Sequence, residues 1–251
     1  MDQNKYNNSS TLFYVGYIVG QVNLILVQKF PLGKLLTITS FCWSMIIFLH
    51  CTAFNYQGIY ALRVFLGFVE GVAVPMLNTT MGQFLTAREK AATAPLFYST
   101  CLGVTIPVGF IAYGILYAKS SVPTWKLFMI IIGGCTFLWT IVIFLIYPNN
   151  PTDAKFLSTK EKVWVIRRVQ ATTGASIEQK VIKKYQIREA LLDPISWLFF
   201  FFFLTQQLAN NLPYQQNLLF EGIGRVNNLD STLVSVASGG FAAACCIVAT
   251  T

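Results

Sequence analysis

The 251 residues are 55% hydrophobic and 15% aromatic but only 11% charged, where a soluble domain carries about 25% charged residues. That composition excludes a soluble globule, because too few polar side chains remain to cover a core this apolar. The net charge of +8 does not point to nucleic acid, since the basic residues sit between apolar runs instead of covering one surface.

A hydrocarbon core of about 30 Å is crossed by about 20 apolar residues in a helix. Seven stretches qualify in chain order: 11–30, 35–51, 58–81, 93–117, 125–147, 194–214 and 231–251. The chain therefore reads as an all-α membrane protein of about seven transmembrane helices. A polar tail, residues 1–10, precedes five of them (11–147). A loop of 46 residues, 148–193, carries nine of the 18 basic residues, and the last two spans occupy 194–251. The side holding that loop has 13 Lys and Arg against four on the other side, so it is expected to be cytoplasmic, with the N-terminus outside.

The third stretch, 58–81, holds Arg63 and Glu70. An ionisable residue at membrane depth costs about 2.5–3.5 kcal/mol on insertion scales, so each needs a partner or a task. Seven residues apart, they share one helix face, about 10 Å apart along the axis. Two readings stay open: a substrate- or proton-coupling site, or charges that pin neighbouring helices. Gly67 and Gly71, on the same strip, allow a second helix to approach closely, and Pro75 is expected to bend the span. The fourth stretch, with Gly103, Pro107, Gly109 and Gly114, predicts further tight crossings and bending.

In the long loop, Ser158-Thr-Lys-Glu161 has the capping-box spacing. It opens a helix over 160–170 with Val163, Ile166 and Val169 expected on its apolar face. Such a basic amphipathic helix suits either the anionic cytoplasmic leaflet or the side of the bundle. Residues 171–180 read as a flexible joint. In the sixth stretch Gln206, Asn210 and Asn211 are candidates to line a polar cavity, the alternative being hydrogen bonds between helices. His50, the one histidine, falls at the outer end of a span and is expected to be interfacial. The six cysteines lie in or beside spans without metal or disulfide spacing. No catalytic motif, cofactor fingerprint or metal-ligand set occurs, so an enzyme is not expected.

The run Arg63-Val-Phe-Leu-Gly67-Phe-Val-Glu70-Gly71-Val-Ala-Val-Pro75 resembles the fourth transmembrane helix of the fungal allantoate permease family, anion:cation symporters within the major facilitator superfamily. Arg88-Glu89-Lys90 matches the following basic turn. Pro148-Asn-Asn-Pro151-Thr-Asp-Ala154-Lys-Phe156-Leu157 resembles the stretch leaving helix six, and Leu191-Leu-Asp193-Pro194-Ile-Ser-Trp197 the approach to helix seven. The resemblance implies a twelve-helix fold in two halves with a site near the midplane, the seven spans here being helices two to eight. It implies proton-coupled alternating-access uptake of a small organic anion across the plasma membrane, with Arg63 as the helix-four arginine. Where the family often has an acidic residue after the loop-opening proline, this chain has Asn149. Helix one and helices nine to twelve are without counterparts, so the chain is expected to be a truncated member that does not transport alone and is retained in the endoplasmic reticulum if unstable.

Two further readings compete. A seven-helix receptor fits the span count, but the acidic-Arg-aromatic triplet and the NPxxY that mark that class are missing from its third and seventh spans. A transport-inactive membrane partner or regulator is the other.

Overall fold

The computed structural model describes residues 3–117, 121–173, 184–209 and 228–248. Every element among them is helical. In chain order they are α1 (Gln3–Gly20), a 3-10 turn (Gln21–Asn23), α2 (Leu24–Lys29), α3 (Leu32–His50), α4 (Tyr56–Glu70), α5 (Ala73–Phe84), α6 (Ala87–Gly103), α7 (Thr105–Tyr117) and α8 (Thr124–Ile146). A second 3-10 turn (Pro151–Asp153), α9 (Thr159–Thr173), α10 (Lys184–Leu192), α11 (Pro194–Ala209) and α12 (Asn228–Val248) follow.

Five helical stretches are long and apolar enough to cross a membrane: Lys5–Lys29, Leu32–His50, Tyr56–Phe84, Ala87–Tyr117 and Thr124–Ile146. They coincide with the first five expected spans. The last two appear as shorter apolar helices, Pro194–Gln206 and Leu233–Val248, and the remainder of those spans, 210–214 and 249–251, lies outside the described residues. The large apolar side chains left exposed along these helices, Leu138, Phe144 and Phe199 to Phe203 among them, are what a lipid-facing surface requires.

The chain divides into two compact units, Met1–Thr93 with Ser120–Lys180 and Ala94–Lys119 with Val181–Thr251. In the first unit the closest pair is α1 and α4. Their backbones touch through two facing glycine strips, Gly16 with Gly20 and Gly67 with Gly71. A Cβ on Gly16 would overlap the Val64 carbonyl, and one on Gly67 the Phe13 carbonyl. One on Gly20 would lie 2.5 Å from the Phe68 oxygen and one on Gly71 2.8 Å from that of Tyr17. In lipid, where burial of apolar surface does not drive helices together, such close van der Waals packing supplies the association.

The break between α4 and α5 follows from the same stretch. Pro75 has no N–H to donate to Gly71 O, four residues back, and the helix interrupts at Gly71–Val72. The Gln21 side chain donates to that Gly71 carbonyl at 3.1 Å, and Asn23 donates to Phe68 O at 3.2 Å. Both donors come from the 3-10 turn between α1 and α2. An irregular backbone at membrane depth is tolerated when neighbours satisfy its freed groups, and here the bend after α1 lends donors to the bend after α4.

The main apolar core of this unit gathers Val27, Leu32, Leu35, Leu36, Val72 and Met76, with Ile143 and Tyr147 packed against it. Tyr147 donates to Thr80 Oγ1 at 2.6 Å, tying the end of α8 to α5. Asn149 Oδ1 accepts from the Lys34 backbone at 3.3 Å while its amide donates to Asp153. An amide can do both; an ionised carboxylate at that position has only acceptors.

In the second unit α7 packs on α12. Ser99 donates to Ala243 O at 3.2 Å, and Gly109 and Gly239 lie against Val236 and Thr105. The fourth expected span is two helices, broken at Val104, because Pro107 cannot donate to Gly103 O. Asp193 caps α11, accepting from the backbone of Ile195 at 3.1 Å and of Ser196 at 3.3 Å, with Pro194 at the first helical position, where a missing N–H costs nothing.

Candidate functional site

Arg63 and Glu70 lie on α4 as expected from their spacing, both half-buried. Over 61–70 the exposed positions, Ala61, Phe65 and Phe68, occupy the opposite face, with Phe65 61% exposed, while exposed Tyr56 continues the charged strip toward the start of the helix. The charged strip is flanked by Leu66, which is buried, and by the glycine edge against α1. It therefore points into the α1–α3–α4 interior, away from the apolar outer face.

Two neighbours, His50 of α3 and Tyr17 of α1, complete the strip. Arg63 is close enough for its charge to act on both the Glu70 carboxyl and the His50 imidazole, and Glu70 acts in turn on the Tyr17 phenol of α1. Arg63 and Glu70 form no direct ion pair among the described residues. Arg63 Nε is buried without a hydrogen-bond partner, an unsatisfied donor of the kind that costs about 1–3 kcal/mol. His50 is the last residue of α3, at the end of a span as expected, and is packed among protein. It is only 4% exposed, its Nδ1 lies 2.8 Å from Ile46 O, and its Nε2 is buried without a partner. Since a carbonyl only accepts, Nδ1 carries the proton there, and Nε2 of the neutral ring is left as an acceptor. The arrangement holds a fixed cation and a carboxyl on one face of a bent helix, both screened from the outer surface.

Of the other sequence candidates, Gln206 is exposed on α11 in the second unit, and Asn210 and Asn211 lie outside the described residues. Gly67, Gly71 and Pro75 do what their positions predict. Sequence reasoning missed Gln21 and Asn23, and it missed Gly16-x-x-x-Gly20, although that strip has the spacing recognised in Gly67 and Gly71.

A second polar cluster sits where α5 ends and α6 begins. Arg168 of α9 meets Glu89 at 2.7 Å and donates to Phe84 O at 3.3 Å, and its guanidinium stacks over the Trp164 ring at 4.5 Å. Phe84 stacks on Phe156, centroids 6.2 Å apart. Glu89 also closes a capping box with Thr86: its carboxylate accepts from Thr86 N at 3.0 Å. The expected box at Ser158 and Glu161 forms too, with Ser158 N donating to the Glu161 carboxylate at 2.8 Å. That backbone bond, helped by the Ser158 hydroxyl, holds the Glu161 carboxyl below the usual carboxylate range. The apolar side of α9 differs from expectation. Val165 and Val169 are buried, whereas Val163 is exposed, because the Arg168–Glu89 contact sets the rotation of the helix against α5. Residues 171–173 of the expected joint belong to α9, which runs through Thr173, and 174–180 lie outside the described residues.

The helices, their exposed apolar surface and the interior charged strip define a multi-pass integral membrane protein. The chain belongs to the Major Facilitator Superfamily, which matches residues 3–251. It is 58% identical, over its whole length, to a high affinity cysteine transporter of Saccharomyces cerevisiae, of which it covers 48%. An uncharacterised transporter of Schizosaccharomyces pombe is 51% identical over 98% of the chain and 43% of its own length. The allantoate permease of Saccharomyces cerevisiae is 30% identical over 84% of the chain and 40% of its own length. The chain spans about half the length of these relatives. They are transporters and permeases, so the family places the chain outside enzyme chemistry.

Proposed function

We propose that this chain serves proton-coupled uptake of a small organic solute bearing a carboxylate, cysteine being the first candidate, at the plasma membrane. Arg63 receives the carboxylate, and Glu70 carries the proton. The observation that carries this reading is the interior placement of an arginine whose Nε has no partner among the described residues, on the same helix face as a half-buried carboxyl. Proton coupling has a physical basis. A charge crossing the membrane exchanges about 2.3 kcal/mol per 100 mV with the potential, so a proton moving inward with a zwitterionic solute such as cysteine adds one positive charge to the step and supplies its driving force. The likeness to the cysteine transporter favours cysteine over allantoate as the solute, because identity is 58% with the former and 30% with the latter. The allantoate-permease likeness of the fourth helix is carried by the same Arg63-to-Pro75 stretch and is compatible with either solute.

The test is uptake of radiolabelled cysteine by yeast lacking its own cysteine uptake and expressing the chain. Saturable uptake that rises as external pH falls and stops with a protonophore supports the reading, and Arg63→Gln is expected to lower it about ten- to hundredfold, the worth of a charge-assisted hydrogen bond. Uptake no greater than in cells without the chain, from a stably inserted protein, contradicts the reading and leaves that of a transport-inactive membrane partner.

A further inference from the structure

We propose that α9 is a two-sided helix whose outer face binds anionic phospholipid headgroups of the cytoplasmic leaflet. The inner side is settled by contacts: Val165 and Val169 are buried, and Arg168 grips Glu89 and Phe84 O. On a helical wheel the side opposite those two valines carries Lys160, Val163, Trp164 and Arg167, spaced i, i+3, i+4 and i+7. All four are exposed, Val163 by 45% and Trp164 by 60%. Two cations flanking an aliphatic residue and a tryptophan make the pattern of a surface that sits at headgroup depth, with the ring at the boundary and the charges on the phosphates.

The position of α9 supplies the second argument. Phe84 is the last residue of one membrane-crossing stretch, and the next begins at Ala87. Arg168 therefore fastens α9 to the junction of two crossing helices, at the edge of the hydrocarbon. A helix held there with an outer stripe of this composition is complementary to an anionic bilayer surface. The inference rests on the membrane placement of the chain and on the cytoplasmic side assigned from its basic residues; it does not depend on the solute or on transport.

Hydrogen–deuterium exchange on the full chain in lipid nanodiscs tests it. Discs of phosphatidylcholine alone are compared with discs containing phosphatidylserine, following peptides from 159–173. A basic side chain near an anionic surface is worth about fivefold in a local equilibrium, so exchange in α9 is expected to slow at least about fivefold in the anionic discs. That difference disappears at high salt and in the double variant Lys160→Gln/Arg167→Gln, whose inner contacts are untouched. Equal exchange in the two kinds of disc, as bundle docking alone or a covering protein would give, overturns the proposal. So does an anionic-lipid effect that survives in the double variant.

Discussion

Arg63 shows how a single residue can be located by chemistry before its surroundings are known. A charge inside an apolar run is conspicuous in any sequence, and its seven-residue spacing from Glu70 places both on one face. What spacing alone leaves open is where that face points. The structure turns it inward, because the glycine edge of α4 must meet α1 and the bulky Phe65 and Phe68 take the outside. His50 shows the same gap: its place at the end of a span is legible, whereas its burial is decided by neighbouring helices. Two residue-scale predictions follow from named contacts. Glu89→Gln, which removes the charge from a solvent-screened pair, is expected to weaken α9 docking only slightly, read as faster exchange at 165–169. Acidification acts at Glu161. Its carboxyl is held low in the folded chain, so its capping contribution is present above the ordinary carboxylate pKa and is lost as pH falls through the depressed value. The first turn of α9 should fray over that acid window, and Glu161→Gln should make exchange at 159–162 insensitive to it.

Among the elements, the pairing of α1 with α4 governs the first unit. The four glycines at Gly16, Gly20, Gly67 and Gly71 are all visible in the sequence, yet only the second pair was recognised, because a strip becomes meaningful when its partner is known. Gln21 illustrates the same gap. Pro75 announces that Gly71 O is freed, but the side chain that reaches it belongs to a turn 50 residues earlier. Gly67→Leu is expected to push α1 and α4 apart and destabilise the unit by at least about 1–3 kcal/mol, the usual cost of overpacking, read as a lower melting temperature in detergent. Gln21→Leu leaves the Gly71 carbonyl unsatisfied and should cost about 1–3 kcal/mol, whereas Gln21→Glu, which has no donor when ionised, should not rescue it. The docking face of α9 was misassigned by rotation because its apolar residues form two strips, and the ion pair to Glu89 selects between them.

At the scale of the molecule, the all-helical membrane type and five of the seven expected spans were legible, since five long apolar stretches leave no soluble alternative. The bends were partly legible: Pro75 and Pro107 mark two of them, while the 3-10 turn at Gln21–Asn23 has no proline to announce it. The superfamily was readable from the order and spacing of short motifs, and the specific solute was not, because a single arginine and carboxyl in a span do not distinguish one carboxylate from another. The central claim of the proposed function is that uptake depends on the inward strip of α4 and not on its outer face. Uptake of labelled cysteine by a set of α4 variants, each present in the membrane at the same level, tests it most directly. The account predicts that Arg63→Gln and Glu70→Gln lose saturable uptake while Ala61→Ser and Phe65→Leu keep it. Uptake that survives both charge substitutions but is lost at Ala61 or Phe65 would contradict it.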